Sequence, residues 1–345
     1  MRFGVFLNNE ERADRPDRDV WMGELAEQVA TASELGFAGF SVGHHHSIGP
    51  TQWSHPVVSA ARLATAADDM DVVLGVYLVG QFHPLEVAEQ LATLDVCCNG
   101  RLRVGAAPGW AKAEFDTLGI DHEGRFRRFY EAIEVIRSLW TGQPVTHQGE
   151  FFDLDAIRLT LLPVQRGGPP MWLGASVPRA ARRAARSGDS FILSSHPTID
   201  ELEAAATAYT QERRTTERGA PEDRPALRNL FVAPTYEEAL RAALPHLAES
   251  YQAFAGWRMF DDVLDDHESR DTLLLHGEDR QRLERFAQQR FILGDPEQVA
   301  SQLEELQRRA DVNYVFLRMQ WPGMAHTTML ASMRLFADEV MGRFR

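Results

Sequence analysis

Short apolar runs alternate along the chain with longer stretches in which apolar residues return every three or four positions. An apolar run of roughly four to eight residues between turn residues reads as a buried strand, and the three-to-four spacing reads as one face of a helix. Residues 3–7 (FGVFL), 38–43 (AGFSVG), 72–79 (VVLGVYLV) and 102–107 (LRVGAA) are predicted as the first four strands. Residues 171–174 (MWLG), 190–193 (SFIL), 228–233 (RNLFVA) and 313–319 (NYVFLRM) are predicted as the last four. Helices are predicted over 20–35, 55–69, 84–98, 123–140, 177–187, 199–217, 236–254, 294–310 and 326–342. Several carry start and stop chemistry. Gly36 closes the first, Pro84 opens the third where its missing N–H costs nothing, and Asp295 with Pro296 opens the helix that begins at 294.

Strand–helix alternation implies parallel strands joined by right-handed crossovers. Eight such units predict an α/β fold, a closed (β/α)8 TIM barrel that forms a single domain over residues 1–345. Two stretches break the rhythm. Residues 141–168 are turn-rich with short β-like runs, and residues 255–290 are polar, irregular and acid-rich. Both are read as insertions that shape a pocket. No GxGxxG motif follows a strand, which disfavours an open nicotinamide-binding sheet.

Composition narrows the classes of partner. The chain has 345 residues, 44% hydrophobic, with a formal net charge of −14. That balance disfavours nucleic acid and anionic membrane surfaces as partners. Cys97 and Cys98 are adjacent and fit neither a metal-ligand spacing nor a CxxC pair, so a reducing compartment is the simplest setting. The apolar run at the N-terminus is too short for a signal segment, and no stretch approaches the ~20 residues of a membrane span. A cytoplasmic location is therefore expected.

In a barrel of this kind the loops after the strands build the active site. Asn8 and Asn9 follow the first strand, and His44, His45 and His46 follow the second. His83 lies beyond the third, and Pro108, Gly109 and Trp110 follow the fourth. Ser176 and Arg179 follow the fifth, Ser194, Ser195 and His196 the sixth, and Arg318, Gln320 and Trp321 the last. In extended chain His44 and His46 share a face about 6.6 Å apart and suit two ligands of a metal. The neighbouring strand ends are read as lacking the carboxylate that would complete such a site, so no metal is assigned. An imidazole at the mouth suits proton transfer, or else only hydrogen bonding within its loop. The helix start near Pro178, with Ser176 and Arg179, suits a phosphate; the alternative is capping by Ser176 and a solvated arginine face. Gly105, Ala106, Ala107 and Gly109 allow a flat ligand to approach backbone, or simply allow tight packing of the fourth strand. Trp110 stacks on a ring or packs under a loop.

A set of segments in chain order carries a family likeness: FGVFL, GFAGFSVGHHHS (36–47), HPLEVAEQLATLD (83–95), GRLRVGAAPGW (100–110), then Glu114, Phe115 and Gly119. It continues through LWTGQPVTHQGEFF (139–152), PPMWLGAS (169–176), RAARSGD (183–189), FILGDPEQVA (291–300) and RMQWPG (318–323). With these, the chain resembles the bacterial-luciferase-like family of flavin-dependent monooxygenases. The resemblance implies a (β/α)8 barrel and a homodimer. It also implies FMN, or in one branch the deazaflavin F420, at the strand C-terminal ends. Gly75 and Val76 would form a bulge behind the flavin ring, in many members through a non-prolyl cis peptide. Ala107 would lie beside the ring, Ala175, Ser176 and Arg179 match the phosphate-binding turn, and Ser194 and Ser195 match residues near the ring. His45 falls on the family's catalytic histidine. His44 stands where the luciferase pattern has glutamate, which removes a carboxylate, and is assigned to help orient His45. Pro108 stands where that branch has an arginine for the phosphate, a role Arg179 would take over.

The expected activity is oxygenation of a small organic substrate with O2 and with reduced FMN delivered by a separate flavin reductase. The alternative within the family is F420-dependent hydride transfer. Outside it stand a metal-dependent barrel enzyme using the histidines and a non-catalytic flavin-binding protein.

Overall fold

The computed structural model describes residues 1–47, 51–256 and 280–344. Each apolar run pairs with its neighbours as a strand. In chain order the strands, with or without such a run, are β1 (Arg2–Phe6), β2 (Glu10–Arg12), β3 (Gly39–Val42), β4 (Thr51–Trp53), β5 (Asp71–Tyr77), β6 (Leu102–Ala106), β7 (Val145–Gln148) and β8 (Asp153–Ile157). They continue with β9 (Met171–Gly174), β10 (Ser190–Ile192), β11 (Pro225–Val232), β12 (Ile292–Gly294) and β13 (Tyr314–Arg318). Nine of them form one curled parallel sheet, in the order β10-β9-β6-β5-β3-β1-β13-β11-β12. Just past β10, the Leu193 N–H donates to Pro225 O at 3.1 Å and its carbonyl accepts from Leu227 N at 2.8 Å.

The helices connect the strands of this sheet along the chain, and the last one follows the final strand. They are α1 (Arg18–Glu34), α2 (Pro56–Leu63), α3 (Pro84–Cys97), α4 (Lys112–Leu118), α5 (Arg125–Leu139), α6 (Pro178–Ser187) and α7 (Ile199–Arg213). Then come α8 (Tyr236–Gly256), α9 (Arg280–Arg290), α10 (Pro296–Ala310) and α11 (His326–Glu339). Among the described residues, no helix is long and apolar enough to cross a membrane.

Two apolar zones hold the fold together. The larger lies between helices and sheet; the smaller, Val73, Trp172, Ile192, Leu227, Tyr314 and Phe316, lies on the sheet's concave side. Trp172 of β9 and Phe316 of β13 are not on neighbouring strands, yet their ring centroids are 6.3 Å apart. Glycines make room for these rings, since a Cβ at Gly4 would strike the Phe316 ring and one at Gly39 the Tyr314 hydroxyl.

Several elements differ from expectation, the short helix α4 among them. The stretch 141–168 contains the antiparallel hairpin β7–β8, held to α5 by Glu131, whose carboxylate accepts from the N–H groups of Phe151 and Phe152. The stretch 255–290 is not irregular throughout: 257–279 fall outside the described residues, but 280–290 form α9, which buries Phe286 and Ala287. Among the described residues, the short strand β12 pairs only with the end of β11. Finally, β2 and β4 form a small antiparallel ribbon, Glu10 opposite Trp53, with no apolar run to announce it.

Candidate active site

The histidine loop is fixed from β1. The side chain of Asn9 donates to Gly43 O and accepts from Gly43 N, both at 2.9 Å, and donates again to Ser54 O. The three imidazoles then go to three different places. His44 is buried; its Nδ1 accepts from Leu78 N at 3.3 Å and its ring stacks on Tyr77 and Phe82. Burial, with the neighbouring histidines adding, holds His44 well below the usual imidazole range, so it stays neutral. His45 is partly exposed at the rim, with Nδ1 at 3.0 Å from Glu114 Oε1 and its ring edge-on to Trp53 and Trp110. His46 reaches Gln81 Oε1 through Nε2 at 2.9 Å, and its backbone N–H donates to Glu114 Oε1 at 2.9 Å.

Glu114 corrects the reading that no carboxylate serves this mouth. It sits in the first turn of α4, buried, and also accepts from Gln81 Nε2 at 3.3 Å. Burial pushes its pKa up, but the bond and charge from His45, with the His46 N–H and the Gln81 amide, outweigh that and hold it below the usual carboxylate range. Glu114 is thus the hydrogen-bond partner of His45 Nδ1, and His44 lies in an aromatic stack. Glu10 is a second carboxylate that the sequence reading passed over: it is buried and accepts from Arg318 Nη2 at 2.9 Å. Among the described residues, no group of three or more His, Cys, Asp or Glu side chains is arranged to hold a metal ion.

A second polar chain enters from β11 and β13. Trp321 Nε1 donates to Asn229 Oδ1, Asn229 Nδ2 donates to the Tyr251 hydroxyl, and that hydroxyl lies 2.9 Å from His196 Nδ1. Burial pushes His196 down to about 3, and the guanidinium charges of Arg318, Arg228 and Arg290 press the same way. His45 follows β3, His196 follows β10 and Arg318 ends β13, so all three stand at the carboxyl ends of the parallel strands, where the loops of such a fold enclose a common space.

The floor of that space is built from small residues. The strand bodies are buried, but Val76, Ala107, Gly174 and Ser194, at successive strand ends, are partly exposed. A Cβ added at Gly174 would meet only Ala107 Cβ at 3.5 Å and Ala106 O at 3.6 Å. The Gly75–Val76 peptide is cis and the β5–β6 register shifts there, the bulge the resemblance implies. Ala175 is buried, Ser176 partly exposed and Arg179 exposed in the first turn of α6. The cap of that helix is Val177, with no side-chain bond, so Ser176 does not serve as the cap. Ser195 is buried beside the rim. A shelf of small side chains bordered by a helix start fits a flat ring bearing a phosphate.

A curled parallel sheet with a histidine–carboxylate pair and an open shelf at the strand carboxyl ends defines an α/β enzyme of the kind that binds its cofactor there. The family model described as luciferase-like monooxygenase matches residues 1–312, and the chain belongs to that family of oxidoreductases. The oxygenase component of a flavin-dependent trigonelline monooxygenase from Acinetobacter baylyi is 27% identical over 263 residues, 74% of this chain and 72% of that protein. A limonene 1,2-monooxygenase from Rhodococcus erythropolis is 27% identical over 354 residues, 99% of this chain and 86% of that protein. An F420-dependent glucose-6-phosphate dehydrogenase from Nakamurella multipartita is 32% identical over 179 residues, 50% of this chain and 52% of that protein. Among solved structures, the monooxygenase RslO1 from Streptomyces bottropensis superposes with a TM-score of 0.87 at 21% identity, over 100% of both chains. The oxygenating constituent of 3,6-diketocamphane monooxygenase from Pseudomonas putida, in complex with FMN, gives 0.79 at 16% identity, over 100% of this chain and 99% of that one. At such identities the structures share the fold.

Proposed function

We propose that this chain is the oxygenase of a two-component flavin monooxygenase, which takes reduced FMN from a separate reductase and uses O2 to oxygenate a small organic substrate. The observation that carries the reading is the His45–Glu114 pair, 3.0 Å apart, at the rim of the small-residue shelf. The Leu193–Ala226 bridge, with the Trp172–Phe316 contact across the interior, supports reading the sheet as a single closed (β/α)8 barrel.

Bound reduced FMN supplies the electrons that activate O2. The chain's residues hold it and manage the proton. Gly75, Val76, Ala107 and Gly174 accommodate the ring; Ala175, Ser176, Arg179 and the first turn of α6 take the phosphate; Ser194 and Ser195 border the ring's edge. Arg179 supplies the guanidinium that the family's luciferase branch places at Pro108. Glu114 accepts a hydrogen bond from the Nδ1–H of His45, which fixes the tautomer and leaves Nε2 as the basic atom that takes or returns a proton at the oxygenation centre. Trp53 and Trp110 flank that imidazole and limit the entry of water.

The test is a reaction of purified protein with photoreduced FMN, O2 and a panel of small ketones, terpenes and aromatics, read by mass spectrometry. His45→Ala is expected to keep FMN affinity within about threefold, to lose product by about 10²-fold or more, and to release hydrogen peroxide instead. Unchanged product yield removes His45 from the chemistry. Tight F420 binding without FMN binding selects hydride transfer, the activity named for the Nakamurella relative.

A further inference from the structure

Arg318 is a buried cation at the rim for which holding the flavin gives no role. It repeats the two-residue spacing of Tyr314 and Phe316 along β13, so it points, like them, into the space enclosed by the sheet, one layer nearer the strand ends. Only 6% of it is exposed. Nη2 donates to Asn8 Oδ1 at 2.8 Å and to Glu10 Oε2 at 2.9 Å, and Nε donates to Gln320 O at 3.3 Å. Among the described residues Nη1 finds no acceptor, and it is not one of the unpartnered atoms shut off from solvent. Glu10 is 1% exposed, and its second oxygen, Oε1, has no donor. On the flanking strands the register partners of Arg318 are Phe6 and Asn229, and Phe6 is partly exposed.

We propose that Arg318 is the substrate-docking residue of this oxygenase, with Nη1 donating to an uncharged carbonyl oxygen, of a ketone or an amide, on the molecule to be oxygenated. The proposal rests on the flavin monooxygenase reading and names the substrate class for it. Charge decides the class. Glu10 already balances the guanidinium, so a carboxylate or sulfonate at Nη1 would be a second anion beside Glu10 in a desolvated place. A neutral carbonyl accepts the one offered hydrogen bond and adds no charge. Phe6 gives the body of such a molecule an apolar face.

The experiment titrates FMN-loaded protein with acetophenone and 2-piperidone as uncharged probes and with benzoate as the anionic counterpart, after FMN binding has been measured by flavin absorbance. Wild type is expected to bind acetophenone about tenfold more tightly than benzoate. Arg318→Lys keeps a charge for Glu10 but loses the fork, and should weaken acetophenone about tenfold with FMN affinity within about threefold. Glu10→Gln removes the resident anion that a ligand carboxylate would meet and should narrow the gap between benzoate and acetophenone about tenfold. Failure of wild type to bind FMN overturns the flavin reading, and this proposal with it. FMN binding with no saturable ketone or amide binding, with benzoate preferred, or with acetophenone unaffected in Arg318→Lys, overturns the role of Arg318 alone. Should Arg318→Lys not fold, the Glu10→Gln ratio decides, and an unchanged ratio overturns the proposal.

Discussion

At the scale of residues, the working unit is an imidazole with a carboxylate behind it. Glu114→Gln preserves shape while removing the charge that holds the His45 tautomer. Product formation should fall by roughly 10–100-fold with FMN affinity unchanged, by steady-state assay and flavin titration; a rate within about twofold of wild type contradicts the pairing. The rim positions of His45, His46, Ser176 and Ser194 were legible because each lies just past an apolar strand. Glu114 was not, although it stood within a quoted motif. It lies on a seven-residue helix and meets His45 across 69 positions of sequence. Nor did three adjacent histidines reveal that one would be sunk into an aromatic stack while the next stayed at the rim.

At the scale of elements, Asn9 ties β1 to the histidine loop through both backbone groups of Gly43. Asn9→Ala leaves those groups buried without partners. It should destabilise the fold by about 1–3 kcal/mol, and amide exchange at Gly43 should rise more than the global change accounts for. Exchange that only tracks global stability contradicts a local tether. The helices that open on a capping side chain were legible, since that cap is written in the chain. Asp295 accepts from Gln298 N at 2.9 Å and Gln298 reaches back to Asp295 N, so Asp295→Ala should cost about 1 kcal/mol in urea unfolding, with catalysis unaffected. The ribbon β2–β4 was illegible for a physical reason. EER and TQW carry no alternating apolar face, and what positions the ribbon is buried charge, Glu10 on Arg318 and Glu11 on Arg15 at 2.9 Å.

At the scale of the molecule, two buried imidazoles set a pH dependence. His44 and His196 are held neutral in the fold, His196 down to about 3, whereas in the unfolded chain they protonate near pH 6.5. Between those values the unfolded state binds more protons, so stability is full above about pH 6.5 and falls as the solution is acidified. From pH 7.5 to 5.5 the two groups together remove roughly 2–3 kcal/mol. Urea midpoints should show this, and His196→Asn should about halve it; a flat profile contradicts the buried neutral state. Asp71 and Asp223, raised by burial, act in the opposite sense in a window that opens near pH 4. Alternation of strand and helix made the curled parallel sheet legible from apolar pattern, because parallel strands buried on both faces leave little else to choose, whereas the short ninth strand β12 was not foreseen.

The central claim is that the shelf between β6 and β9 holds the flavin ring. Gly174→Leu tests it most directly, since the position has ordinary room for a Cβ but a larger side chain would project over Ala107. Equilibrium titration with FMN should show affinity lost by at least about tenfold in Gly174→Leu, with the thermal midpoint close to wild type. FMN affinity equal to wild type in a folded Gly174→Leu protein would place the ring elsewhere and contradict the account.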